Sequence, residues 1–167
     1  MTIRKVLALD VATSTGWCFG ATSENMPHYG SIRFAEPGAT LGQIMAGGLG
    51  WFVDFVKVNQ PDLIVCEASN AHHMAGKTTL KTIQVLIGLP AMFEGLAWRL
   101  GIKDVREVTT KECRDYFIGS NPRRDVAKPM VIAKCRALGY EPQDDDAADA
   151  ISLWEYQRHL LNRRAAS

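Results

Sequence analysis

The sequence predicts an α/β protein with a mixed five-stranded sheet, in which a three-strand meander is followed by parallel strands and helices cover both faces. Three short apolar segments separated by turn residues come first in the chain. Segments with strand and helix periodicity then alternate, giving the order β-β-β-α-β-α-β-α-α-α. Strands joined by crossover helices run parallel, which makes the sheet mixed.

Five segments have the composition of strands: residues 4–10, 15–20, 29–35, 62–67 and 105–108. The first and fourth of them, RKVLALD and DLIVCE, are apolar runs that stop at an acid, Asp10 and Glu67. In open sheets of this kind, ligands bind at the carboxyl ends of the strands. Both acids are therefore candidates for a functional site.

Five segments have apolar residues at helical spacing: residues 40–59, 77–100, 110–117, 126–138 and 144–161. Pro90 is expected to bend or split the second helix, and Gly101 to end it. Thr109 or Thr110 is a suitable N-cap for the third helix. The last helix begins with acids, which the helix dipole favours at that end.

Length and composition indicate one domain over residues 1–167, in an ordinary globular class with 47% hydrophobic and 22% charged residues. The four cysteines form no Cys-x-x-Cys pair, so neither a disulfide framework nor a zinc site is predicted. The N-terminus does not have the pattern of a signal peptide, and the longest charge-free stretch, residues 37–53, is too short for a membrane helix. We therefore expect a cytoplasmic protein.

The net charge of +1 is low for a nucleic-acid-binding protein. The charge is unevenly distributed, however, because residues 106–136 contain eight basic and four acidic side chains, whereas acids accumulate at residues 144–149. A basic surface beside an acidic pocket is one interpretation, and a simply solvated charged face is the other.

Two more acids complete a candidate site. Asp146 and Asp149 are three residues apart, so they lie on one face of the last helix. If that helix packs across the strand ends that carry Asp10 and Glu67, four carboxylates meet, and cations must offset their repulsion. An all-carboxylate site suits Mg²⁺, with Mn²⁺ as a substitute, and two ions per site would support phosphodiester cleavage. The alternative is that these acids only cap turns and the helix.

Three motifs carry a resemblance to a known family: LALDVATSTGW at 7–17, VCEASN at 65–70 and DDDAADAISLW at 144–154. Together they resemble the RuvC-type Holliday junction resolvases of the ribonuclease H-like superfamily, especially the compact versions from bacteriophages and prophages. The resemblance extends from residue 5 to about residue 160. The sequence departs from the family pattern at Asp10-Val11-Ala12, where an Asp-Pro-Gly-like turn is usual, and at His72, His73 and Met74, where an aromatic wedge is usual.

The resemblance implies that Asp10, Glu67, Asp146 and Asp149 are the catalytic metal ligands. It implies a Mg²⁺-dependent endonuclease that cuts four-way junctions and leaves 5′-phosphate and 3′-hydroxyl ends, in a bacterial host cell or encoded by a prophage. Paired symmetric cuts call for a C2 homodimer. The candidate DNA contacts are Lys77, Lys81, Lys111, Arg123, Arg124 and Lys128, of which the resemblance assigns Lys111 and Lys128 to the scissile-strand phosphates.

Other functions remain open from the sequence. One alternative is a ribonuclease H-like nuclease that processes structured RNA, and another is a non-catalytic protein that binds branched DNA. His72 and His73 could contact DNA or assist proton transfer, although a pair of histidines in a surface loop is the commoner case. An actin-like kinase is excluded because that fold needs two domains and a second glycine-rich phosphate loop.

Overall fold

A computed structural model describes residues 3–68 and 79–166 of the chain. It contains five strands: β1 (Lys5–Asp10), β2 (Ser14–Ala21), β3 (His28–Arg33), β4 (Leu63–Glu67) and β5 (Val105–Val108). Its helices are α1 (Leu41–Asn59), α2 (Leu80–Arg99), α3 (Thr110–Phe117), α4 (Arg124–Ala137) and α5 (Asp145–Ala166). The element order is the predicted one.

The strands form one mixed sheet in the order β3-β2-β1-β4-β5. The pairs β1–β2 and β2–β3 are antiparallel, as the meander requires, and β1–β4 and β4–β5 are parallel. The mixed-sheet prediction is therefore confirmed. The central strands β1 and β4 are apolar along their length because both faces of the sheet are covered there.

Each face of the sheet carries its own hydrophobic core. On one face, α1 and α2 bury Phe52 and Phe93, whose rings stack with centroids 4.6 Å apart. On the other face, α3, α4 and α5 pack together, and α5 crosses the middle of the sheet with Trp154 fully buried. The two layers fix the helices relative to the strand ends, which is where the candidate acids lie.

Three details differ from the sequence-based expectations or resolve them. Helix α2 runs without a break through Pro90, so the predicted split is wrong. Pro90 cannot donate to the Leu86 carbonyl, and both residues line an open cleft. Thr109, not Thr110, caps α3, and α5 extends five residues beyond the predicted end, to Ala166.

Candidate active site

The first two acids, Asp10 and Glu67, lie side by side at the carboxyl ends of two neighbouring strands. Asp10 ends β1 and Glu67 ends β4, and the parallel register pairs Leu9 with Cys66, one residue before each acid. The turn after Asp10 is held by Thr15, whose hydroxyl donates to the Ala12 carbonyl at 2.9 Å and accepts from the Ala12 amide at 3.3 Å. The two strands are therefore adjacent, which is a condition for the acids to meet.

The three consecutive aspartates at the start of α5 make different contacts. Asp144 accepts a hydrogen bond from the Ala147 amide at 2.8 Å and another from the Ser31 hydroxyl, so it caps the helix and attaches it to β3. Asp145 forms an ion pair with Lys128 of α4. Only Asp146 lines the cleft that Asp10 and Glu67 also line. The capping interpretation therefore holds for Asp144 and does not account for Asp146.

Repulsion among the acids shows that they share one electrostatic environment. Burial, followed by the charges of Glu67, Asp149 and Asp146, raises the pKa of Asp10 well above its usual value. Burial and the charge of Glu67 raise the pKa of Asp149 to about 6, although Arg114, Lys128 and Arg124 partly oppose the shift. The structure thus brings all four predicted carboxylates to the same end of the sheet.

Two arginines accompany the acids. Arg114 of α3 and Arg124 at the start of α4 line the same cleft, which has a volume of about 450 Å³. The Nε atom of Arg114 is buried and has no hydrogen-bond partner within the described part of the chain. A buried donor without a partner is costly. Because Arg114 also lines the open cleft, its guanidinium is suited to an anionic ligand such as a phosphate.

The orientation of Glu67 is set by a neighbouring helix. The Thr110 hydroxyl, in the first turn of α3, donates to Glu67 Oε1 at 2.5 Å. Thr109 caps the same turn and forms a reciprocal capping box with Glu112, so the start of α3 is well defined. This arrangement fixes one carboxylate oxygen of Glu67 against a rigid helix.

The donor set fits hard divalent cations by its chemistry. Its four carboxylates supply only oxygen atoms. Burial, followed by repulsion from neighbouring acids, raises the pKa of Asp10 and of Asp149, and a bound cation would relieve that repulsion. Across residues 3–68 and 79–166, no three His, Cys, Asp or Glu side chains are already grouped so as to hold a metal ion. The acids therefore surround the cleft without forming a closed ligand cage.

The predicted DNA contacts differ in their positions. Arg124 lies in the cleft, whereas Arg123 is exposed beside Asp125, with Nε and Oδ1 3.6 Å apart. Lys111 is exposed on α3 and pairs with Asp115 rather than lining the cleft.

The remaining two described candidates are lysines held by neighbours. Lys128 is held by Asp145. Lys81 contacts the Ala39 carbonyl in a neighbouring cleft of about 270 Å³ that Arg33 also lines. Lys77, His72, His73 and Met74 lie outside the described residues. The DNA-binding roles of all these side chains stay predictions.

Arg114 and Thr110 are the site residues that sequence reasoning missed. They are four residues apart on α3, so they share a face, while Lys111 points away from it. That spacing was available in the sequence. Which face of α3 meets the cleft depends, however, on how α3 packs against α5, with Cys113 and Phe117 buried.

Comparison with known proteins supports the fold. Neither a protein-family model nor a curated protein matches the sequence. Among solved structures, RuvC of T. thermophilus in complex with a Holliday junction substrate matches with a TM-score of 0.69 at 13% identity, covering 98% of this chain and 96% of that one. A second Thermus thermophilus RuvC structure matches with a TM-score of 0.66 at 13% identity, covering 97% and 96% of the two chains.

A eukaryotic enzyme gives the same result. The yeast mitochondrial Holliday junction resolvase Ydc2 matches with a TM-score of 0.65 at 14% identity, covering 95% of this chain and 80% of that one. The similarity extends over nearly the whole chain, from the meander to the last helix. The chain therefore has the RuvC-type, ribonuclease H-like fold that its three motifs predicted.

Proposed function

We propose that this protein is a divalent-metal-dependent endonuclease that resolves Holliday junctions and related branched DNA by paired phosphodiester cleavage, leaving 5′-phosphate and 3′-hydroxyl ends. One observation carries the proposal: Asp10, Glu67 and Asp146 line one cleft at the carboxyl ends of β1 and β4, and the nearby charge of Asp149 helps to raise the pKa of Asp10. Holliday junction resolvases that share the fold, one of them in complex with a junction substrate, support the choice of substrate.

The four carboxylates would hold Mg²⁺, or Mn²⁺ in its place, with two ions per site. When bound, such ions activate a water nucleophile and stabilise the charge that develops on the leaving oxygen. Asp10 and Glu67 would contribute from rigid strands, and Asp146 and Asp149 from the first turns of α5. Thr110 keeps Glu67 oriented through its hydrogen bond at 2.5 Å.

The arginines would bind the DNA backbone at the site of cleavage. Arg114 and Arg124 line the same cleft as the acids, and each guanidinium offers several donors to a phosphate. Because the overall charge is only +1, backbone binding depends on these local cations and not on a uniformly basic surface. Arg123, Lys81, Lys111 and Lys128 would add contacts farther along the DNA.

A cleavage assay on defined substrates tests the proposal. Labelled four-way, three-way, flap and linear DNA, together with a structured RNA, are incubated with the protein, with and without Mg²⁺. We expect paired symmetric nicks in the four-way junction only with Mg²⁺, and no cleavage by Asp146→Asn although it still binds the junction. Preferential cleavage of the RNA would favour the RNA-processing alternative. Junction binding without cleavage in Mg²⁺ or in Mn²⁺ would favour the non-catalytic binder.

We further propose a homodimer, because two symmetric cuts need two sites related by a two-fold axis. The outer side of α2 offers an apolar surface for it: Leu80 and Ile87, seven residues apart, are 70% and 49% exposed. This helix is long and apolar enough by composition to cross a membrane, and only 22% of that stretch is buried. A second copy of the chain would cover the apolar surface of α2 that is exposed in the single chain.

Sedimentation equilibrium tests the dimer directly. The wild-type chain should sediment as a dimer, and Ile87→Asp should sediment as a monomer. Val58→Asp is the matched control, since Val58 is an exposed apolar residue on α1 (80% exposed) and should leave the dimer intact. A monomeric wild type at micromolar concentration contradicts this part of the proposal.

We also propose that the protein acts in the bacterial cytoplasm, whether its DNA substrate belongs to the host or to a prophage. The four free cysteine thiols suit that compartment.

A further inference from the structure

The first turn of α5 lies directly against β2 at Gly16. A Cβ atom added to Gly16 would lie 1.9 Å from the carbonyl oxygen of Asp146 and 2.5 Å from its carbonyl carbon. Real Cβ atoms essentially never come within 3.0 Å of such an atom. Both groups at this contact are backbone, so no side-chain rearrangement could relieve the clash.

Gly16 is required here for space and not for backbone conformation. Its φ is not in the left-handed region that favours glycine, in contrast to Gly38 and Gly101. It sits within the regular antiparallel pairing of β1 and β2. Any residue type could adopt this backbone geometry, and only the absence of a side chain lets the helix approach so closely.

The contact joins the two halves of the candidate site. Across the β1–β2 ladder, Gly16 is the direct partner of Asp10. On the other side it touches the backbone of Asp146, whose side chain lines the cleft. Ala147 and Ala150, which are fully buried, also keep this part of α5 close to the sheet. Gly16 thus lies between the strand-borne and helix-borne acids.

We propose that Gly16 is a positioning residue that sets the separation between Asp10 on β1 and the pair Asp146 and Asp149 on α5. An alanine at this position must push the two backbones apart by at least about 1.1 Å to restore an allowed contact. Displacements of about 1 Å at a catalytic centre can reduce a rate about 100-fold. The inference rests on the proposed nuclease function, to which it adds a residue that touches neither DNA nor metal.

The chain offers a matched control for the steric effect. A Cβ atom on Gly47 of α1 would lie 2.0 Å from the carbonyl oxygen of Phe34, almost the same intrusion into a backbone atom. Phe34 and Gly47 belong to the opposite face of the sheet, and neither lines the carboxylate cleft. Gly47→Ala therefore separates general destabilisation from a change in the spacing of the acids.

The experiment compares the full-length wild type with Gly16→Ala, Gly47→Ala and Asp146→Asn. It measures junction affinity in Ca²⁺, the single-turnover cleavage rate as a function of Mn²⁺ concentration, and Mn²⁺ binding to the protein alone by electron paramagnetic resonance. All rates are measured well below the unfolding temperature of each variant.

We expect Gly16→Ala to bind junctions as the wild type does, to bind Mn²⁺ more weakly and to cleave about 100-fold more slowly. A high Mn²⁺ concentration should restore part of the cleavage rate of Gly16→Ala, because the metal ligands of this variant are displaced and not lost. The cleavage rate of Asp146→Asn should not rise with Mn²⁺ concentration. Gly47→Ala should lose thermal stability and keep its rate and its Mn²⁺ affinity. A Gly16→Ala variant with wild-type Mn²⁺ affinity and rate overturns the inference while the proposed function stands.

Two further results keep the inference testable. If the wild type cleaves no junction, the proposed function fails, and the Mn²⁺ affinities of wild type and Gly16→Ala still decide whether Gly16 sets the ligand spacing. If Gly16→Ala does not fold, nuclear Overhauser effects in the wild type decide the matter. Contact between the Gly16 Hα protons and the Ala147 amide supports the inference, and its absence overturns it.

Discussion

Replacing Asp149 by asparagine should stabilise the metal-free protein while it abolishes cleavage. Burial and the charge of Glu67 raise the pKa of Asp149 from 3.8 to about 6 in the folded state. Between these two pH values the folded state keeps a proton that the unfolded state releases. Stability therefore falls as the pH rises through this window, and above about pH 6 the whole penalty is present.

The size of the effect follows from the shift. A gap of about two pKa units corresponds to roughly 3 kcal/mol, at 1.36 kcal/mol per unit. An asparagine amide removes the charge but still has to be desolvated, so we expect a net stabilisation of about 1–2 kcal/mol. For a chain of this size, that raises the melting temperature by about 2–8 °C near neutral pH.

Thermal unfolding by circular dichroism, near pH 7 and near pH 4, measures this stabilisation. The matched control is Glu141→Gln, which removes one negative charge from an exposed side chain whose partner Arg136 is 3.8 Å away. Its effect should stay within about 0.5 kcal/mol. Adding Mg²⁺ should raise the melting temperature of the wild type more than that of Asp149→Asn, because the variant has lost a ligand.

Two results would refute this reasoning. One is an Asp149→Asn variant that is less stable than the wild type near pH 7. The other is a stabilisation that persists unchanged near pH 4, where the carboxyl is protonated in the folded state and no charge remains to be removed.

Three further predictions concern single side chains. Thr110→Val should slow cleavage about 10-fold, because the Glu67 carboxylate loses the hydrogen bond that orients it. Thr109→Val removes the N-cap of α3, so it should cost about 1 kcal/mol of stability and leave the cleavage rate unchanged. Arg114→Met should slow single-turnover cleavage by about 10²-fold or more, and Arg136→Met, an exposed arginine on α4 that pairs with Glu141 and does not line the cleft, should not. Glu155→Gln should lower the free energy of unfolding in urea by about 3 kcal/mol without changing the cleavage rate. It breaks the ion pair between the buried Glu155 and Arg158, and neither residue lines the cleft.

The acids at the strand ends could be found from sequence because local signals identify them. An apolar run that stops at Asp10 or Glu67 marks the end of a buried strand, and parallel pairing puts such ends at one edge. Asp146 and Asp149 follow from helical spacing alone. These four side chains could be singled out without knowledge of tertiary packing. In the structure, three of them line one cleft, and the charge of Asp149 helps to raise the pKa of Asp10.

The remaining features depend on long-range contacts that the sequence does not encode locally. Three adjacent aspartates look alike until Asp144 meets Ser31 and Asp145 meets Lys128, each from a different element. The choice of Arg114 over Lys111 depends on the packing of α3. Pro90 does not split α2, because the packing of α2 on α1 holds the helix together across the missing hydrogen bond.

The central claim is that acids from β1, β4 and α5 together form one divalent-metal centre. Anomalous scattering from crystals soaked in Mn²⁺ tests it most directly. The account predicts strong peaks in the cleft, within ligand distance of Asp10, Glu67, Asp146 and Asp149, and their loss in Asp10→Asn. A map with no peak in the cleft, or with Mn²⁺ bound only elsewhere on the protein, would contradict it.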